Sequence, residues 1–313
     1  MNNNSICFTT FVFGCYQKFI PYYIYSTSRL YPEAFVKIFV EDKLEKNVLE
    51  ALEIISTSGF TSFEILISDF NNVLIFDNYK IKGGGCKTLF RWLFDYKHFQ
   101  DFKYLYYGDI DILMFSDKIS LLDLHENKIK EFNVPFSNMV RKDELGNLTN
   151  RLTGLHFVET KPYFDKVNPI IKRIFECESY RIEIMKNVIR DENLLYNINK
   201  KAFVFDDNQL HDFKRPLYGL HFGIARNKKD LTIEYLLDSN PYTLVELKQK
   251  IVEINSDKIF KRIQKLIFLK EHYDICKFLN VNNNIDWKGK YYKYLFTKVL
   301  IKIKIKILYY WNG

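Results

Sequence analysis

The stretch 103–115, KYLYYGDIDILMF, sets two carboxylates, Asp109 and Asp111, one residue apart between two apolar runs. Alternate residues of an extended backbone share a face, so both carboxylates can point the same way. Two acids on one side repel each other unless a cation joins them. Hard oxygen donors suit Mn2+ or Mg2+, which also bridge phosphates and carry the negative charge of a departing diphosphate. The plainer alternative is a solvated acidic turn. The apolar flanks favour the end of a buried strand, where open α/β sheets take ligands.

Other side chains with chemistry lie at a distance in sequence. His221, within YGLHFGIAR, is either an imidazole completing an oxygen-rich metal shell or a hydrogen-bonded core histidine. His156 sits in a similar Gly-Leu-His-Phe frame and competes for a site role. Arg91 offers a planar fork that fits diphosphate oxygens, or a partner for Asp95 one turn on. Arg226 and Lys228 are further cations, functional or solvated. Asp191 and Glu192 are either acids beside a substrate or acids opening a helix, where the dipole favours them. Gly83-Gly84-Gly85 reads as a flexible hinge, because no Gly-Lys-Ser/Thr follows to make a phosphate loop.

The elements that must position these residues alternate. Strands are expected at 6–14, 35–41, 63–68 and 73–76, with a helical stretch interrupted by Pro21 and an amphipathic helix over 45–56. A helix over 86–99 feeds the strand–turn–strand at 103–115. Short strands follow at 154–159, 202–205 and 218–222, with helices at 162–177 and 180–190. After Pro241 helices are expected at 243–254, 256–270 and 272–279. Alternating strands and helices imply an α/β layered, mostly parallel sheet.

These ordered features make the sequence similar to the GT-A glycosyltransferases, and it most resembles glycosyltransferase family 8 and its bacterial surface-polysaccharide relatives. The resemblance spans roughly residues 6–226. It implies a Rossmann-like sheet flanked by helices, a metal held by Asp109, Asp111 and His221, and nucleotide contacts from Thr10, Phe11, Arg91, Asp109 and Arg226. It further implies catalytic roles for Asp191 and Glu192 beside the transferred sugar. Two motifs depart from the family: its early Asp is replaced within Phe8-Thr9-Thr10-Phe11, and its His-x-x-Gly-x-x-Lys-Pro-Trp is reduced to His221, Gly223 and Arg226. The organisation expected is a catalytic domain over 1–235, a helical extension over 236–286 and a basic amphipathic tail over 287–313.

Charge separates partners. The 313 residues carry 46 Lys and Arg against 38 Asp and Glu, a net +8. Seven of those lysines lie from Lys288 to Lys306, beyond the last acid, so the body is nearly neutral and the tail basic. A nucleic-acid binder spreads positive charge over its folded domain, so no nucleic-acid partner is expected. Lys298, Lys302 and Lys306 recur every four residues beside Leu295, Val299 and Ile303, which suits a helix on an anionic membrane, while 301–307 alternates as a guarded edge strand would. Five scattered cysteines with no paired spacing, no signal-peptide pattern and no long apolar run imply a cytoplasmic protein, peripheral on the inner face of a membrane.

The function expected is metal-dependent transfer of a sugar, from UDP-sugar by preference, to a glycan or lipid-linked acceptor. The rivals are a sugar-nucleotide nucleotidyltransferase and an inactive membrane scaffold. Gly14-Cys15-Tyr16-Gln17-Lys18 lacks the glycine-rich basic loop that the first rival needs.

Overall fold

The computed structural model describes residues 6–68, 75–116, 119–211, 218–226, 231–238, 242–281 and 289. The opening apolar run forms β1 (Ile6–Val12), buried at every position. A 3-10 turn (Gly14–Phe19) leads into α1 (Ile20–Leu30). Pro21 begins this helix rather than interrupting it, since proline's missing N–H costs nothing in the first turn. Next come β2 (Phe35–Val40), α2 (Lys46–Thr57) and β3 (Phe63–Ile67). Then follow β4 (Tyr104–Tyr107), β5 (Ile112–Met114) and α3 (Leu121–Phe132).

The middle of the chain supplies β6 (Phe136–Ser137), β7 (Val140–Lys142), β8 (Leu148–Leu152) and β9 (His156–Glu159). After these come α4 (Thr160–Glu176), α5 (Glu178–Met185), α6 (Asp191–Ala202) and α7 (Asp207–His211). The chain continues through β10 (Gly219–His221), a 3-10 turn (Phe222–Arg226) and α8 (Ile233–Asp238). It ends in α9 (Leu244–Ser256), α10 (Lys258–Leu266) and α11 (Lys270–Phe278).

The main sheet has the order β3-β2-β1-β4-β9-β6. β1, β2, β3 and β4 run parallel, and β9 lies antiparallel between β4 and β6. This is the α/β class expected, a mostly parallel sheet flanked by helices. One apolar core packs α1, α2 and α9–α11 against the sheet, and a second packs α4–α6 and the aromatic segment 89–99 on the other face. The chain passes from β2 and β3 on one side of β1 to β4 on the other, so the order reverses there and leaves a crevice at the strands' carboxyl ends.

Three expected elements differ. Residues 86–99 form two 3-10 turns, Cys86–Trp92 and Tyr96–His98, rather than one helix. Leu89, Phe90, Trp92, Leu93, Phe94 and Phe99 are all buried, so the segment lacks the single apolar stripe of an amphipathic helix. Residues 203–205 are not a strand. Phe203 and Phe205 both pack on Phe136 while Val204 stands 97% exposed, so alternation here reflects an aromatic clip with no neighbouring strand. Ile75 and Phe76 are likewise not in a strand, and 73–74 lie outside the described residues.

Candidate active site

The acidic pair is placed by the end of β4. The Gly108 amide donates to the Thr9 carbonyl at 3.0 Å, tying the turn to β1. Glycine is needed there, because a Cβ would come within 2.8 Å of the Tyr23 hydroxyl. The turn leaves the main sheet, and β5 pairs instead with β10, antiparallel, with Ile112 opposite His221. The Phe222 amide donates to the Asp111 carbonyl at 2.8 Å. Residues 110 apart in sequence are thereby brought side by side.

Asp111 is the buried member of the pair, its side chain only 4% exposed. His221 Nε2 lies 3.2 Å from its Oδ1, and Arg226 Nη2 donates to its Oδ2. Burial alone would raise the Asp111 carboxyl, but the charge of His221, the hydrogen bond with it and then Arg226 outweigh burial and hold it below its ordinary value. Burial would likewise lower the His221 imidazole; the charge of Asp111 and its hydrogen bond, then Asp109, outweigh this and leave it raised. Arg226 also lies over the Tyr16 ring, 4.9 Å from its centre.

Asp109 has a different partner. Arg91 Nη1 donates to its Oδ1 at 2.5 Å, while Arg91 Nε donates to Asp191 Oδ2 at 2.8 Å. Trp92 Nε1 adds a third bond, to the same Asp191 oxygen, at 3.2 Å. Burial disfavours the Arg91 charge, but Asp191 and Asp109 more than restore it. Arg91 therefore joins the two acids to each other rather than pairing with Asp95, which caps the turn at Lys97.

Thr10, Phe11, Arg91, Asp109, Asp111, Asp191, His221 and Arg226 all line one cleft of about 270 Å³, together with Phe13, Tyr16, Gly83, Gly84 and Thr88. Glu192 is not part of that lining; it is buried between Arg141 and Arg151. His156 is also elsewhere, buried with Nδ1 2.9 Å from the Asn138 amide nitrogen and its ring against Trp92. Lys228 and the tail 290–313 lie outside the described residues. Gly83, Gly84 and Gly85 all have positive φ, and Gly83 and Gly84 line the cleft.

Sequence reasoning named Gly154 and Gly223 beside His156 and His221 but missed that both make room. A Cβ on Gly154 would sit 2.8 Å from Arg91 Nη2, and one on Gly223 would sit 2.8 Å from His221 Cε1 and 3.2 Å from Asp111 Oδ2. The only signal was their place two residues before His156 and two after His221. Tyr16 and Trp92 were also missed, since lone aromatics in an aromatic-rich chain carry no signal.

Asp111 and His221 suit a divalent cation in donor type, and as placed they bond to each other at 3.2 Å. Among the described residues no three His, Cys, Asp or Glu side chains converge into a metal cluster as placed. Asp109, the third donor expected, has one carboxylate oxygen engaged by Arg91.

No protein-family model and no curated protein matches this chain. Among solved structures it is similar to the galactosyltransferase LgtC in complex with donor and acceptor sugar analogs, at 16% identity over 62% of this chain and 69% of that one, with a TM-score of 0.44. It is also similar to the WbbM bifunctional glycosyltransferase, at 10% identity over 87% and 51% with a TM-score of 0.45. The glycosyltransferase GlyE of Streptococcus pneumoniae TIGR4 is similar at 12% identity over 91% and 66%, with a TM-score of 0.40. The fold described above rests on strand order, and the chemistry on the side chains of the cleft.

Proposed function

We propose that this chain is a metal-assisted glycosyltransferase that takes its sugar from a nucleoside diphosphate, UDP by preference. The observation that carries the reading is the meeting of Asp109, Asp111, Asp191, His221 and two arginines in one cleft at the carboxyl edge of β1 and β4. An acid cluster threaded with cations suits a diphosphate and a polyhydroxyl ring better than an apolar ligand.

Asp111 and His221 would hold Mn2+ or Mg2+, with Asp109 joining them through the oxygen that Arg91 does not engage. Such a cation, when bound, supplies Lewis-acid neutralisation of the diphosphate. Arg226, with its side chain 44% exposed and anchored over Tyr16, is placed to follow the negative charge that develops on the leaving diphosphate. Arg91, mostly buried and shared by two acids, orients Asp109 and Asp191 instead of meeting phosphate directly. Asp191, held at one oxygen by Arg91 and Trp92, would present the other to sugar hydroxyls or to an oxocarbenium-like transition state. Phe13, Phe11 and Tyr16 give the cleft an apolar wall on the β1 side.

The acceptor in this reading is a glycan or lipid-linked intermediate of surface-polysaccharide synthesis, and the basic tail would bring the enzyme to the inner face of an anionic membrane. The test is hydrolysis or transfer from a panel of nucleotide sugars with Mn2+, Mg2+ or chelator. Metal-stimulated turnover that is lost in Asp111→Asn is expected. Undiminished turnover in chelator would remove the metal role, and no turnover or nucleotide-dependent thermal shift with any donor would remove the reading.

A further inference from the structure

Residues 191, 192 and 193 open α6, and each is pinned to a different neighbour. Asp191 reaches into the cleft and meets Arg91 and Trp92. Asn193 donates to the Asn150 carbonyl at 2.8 Å and accepts from the Arg190 amide at 3.0 Å. Glu192 turns toward the β7–β8 hairpin, where both of its oxygens are taken. Arg141 approaches Oε1, with Nε at 3.0 Å and Nη2 at 2.8 Å. Arg151 approaches Oε2, with Nε at 3.1 Å and Nη2 at 2.5 Å.

The two arginines come from opposite strands of the hairpin, which pairs Val140 with Leu152. A carboxylate gripped by two forks is fixed in position and in plane, unlike one held by a flexible ammonium. Glu192 has a side chain only 10% exposed, whereas Arg141 and Arg151 are 42% and 26% exposed. The acid is thus the buried hub, and water still reaches the cations around it.

We propose that Glu192 is a positioning residue whose arginine clamp locks the first turn of α6, so that Asp191 is held against Arg91 in the cleft. It sets the place of the neighbouring acid without itself touching the sugar. This inference rests on the transferase reading, because its effect is read on turnover.

The experiment compares wild type, Glu192→Gln, the double variant Arg141→Met/Arg151→Met, and all three changes together. Because both arginines are partly solvated, Glu192→Gln strands no fully buried charge, whereas the arginine pair leaves the buried Glu192 without its partners, so circular dichroism with UDP calorimetry checks that each protein folds. A small misplacement of a group beside the reacting centre costs up to about a hundredfold. Glu192→Gln and the arginine pair are each expected to lower kcat by about 10- to 100-fold while KM for the nucleotide sugar moves less than about threefold. The triple variant is expected to fall no further than the worse of the two, the signature of residues acting as one unit.

Loss of more than about a thousandfold in Glu192→Gln, with the arginine pair unchanged, would make Glu192 a group that meets substrate and would overturn the proposal. Wild-type kcat in Glu192→Gln would overturn it as well. If wild type turns over no donor, the transferase reading fails separately. The clamp is then decided by hydrogen exchange at amides 191–195, expected to quicken at least tenfold in Glu192→Gln, with unchanged exchange counting against it.

Discussion

At Asp111 a carboxylate is almost wholly buried, yet His221 and Arg226 hold it below its ordinary value. Gly223 allows that arrangement, since any Cβ there would strike the imidazole ring. Gly223→Ala should therefore displace His221 and weaken Mn2+ binding by roughly 10- to 100-fold, the usual effect of disturbing a ligand's support, as read by isothermal titration calorimetry. Arg91 presents a second case, one fork serving two acids. Arg91→Met leaves Asp109 and Asp191 without the cation they share, and should cost about 3 kcal/mol of stability in urea titration. Arg91→Lys should recover only part of this, because a point charge cannot bond both carboxylates in one plane. The type and spacing of Asp109 and Asp111 were legible in sequence. Their different partners were not, because Arg91, Asp191 and Arg226 converge only in space.

The pairing of β5 with β10 is the element that makes the site. Alternation in 103–115 pointed to two strands around an acidic turn, and both are present. What alternation does not carry is that the second strand leaves the sheet and takes a partner more than a hundred residues away. Period also misled at 203–205, where two phenylalanines pack on Phe136 and imitate a strand. The helix α11 carries its own consequence. His272 is fully buried on Phe222 and Phe260, and burial pushes its imidazole down to about 4. The unfolded chain then binds a proton that the folded chain refuses between the ordinary value of 6.5 and about 4. Stability is full above pH 6.5 and falls as pH drops through that window, by roughly 1 kcal/mol per unit. Urea midpoints measured from pH 7 to 4 should show this slope, and His272→Asn should reduce it.

Over the whole molecule, the C-terminal helices are built into the same core as the sheet. Phe260 on α10 is fully buried, with its ring edge-on to Tyr22 at 5.3 Å and close to Tyr25. Phe260→Ala should lower stability by about 3–5 kcal/mol, and fluorescence and circular dichroism should still report one coincident transition. The membrane contact proposed for the basic tail belongs to this scale too. Replacing Lys298, Lys302 and Lys306 with Gln in the full chain should weaken sedimentation with anionic vesicles by roughly 100-fold, at about 1 kcal/mol per lysine. Zwitterionic vesicles should bind neither form.

The alternation of β1, α1, β2, α2 and β3, the acidic pair between apolar runs and the separation of a neutral body from a basic tail were decided by local sequence, because side-chain period and charge act over a few residues. The partners of each carboxylate, the turning of Glu192 away from the cleft and the glycines that open space for Arg91 and His221 were decided only by the tertiary structure. Those depend on which distant strands lie edge to edge, and burial gives a contact its strength only once both segments are in place.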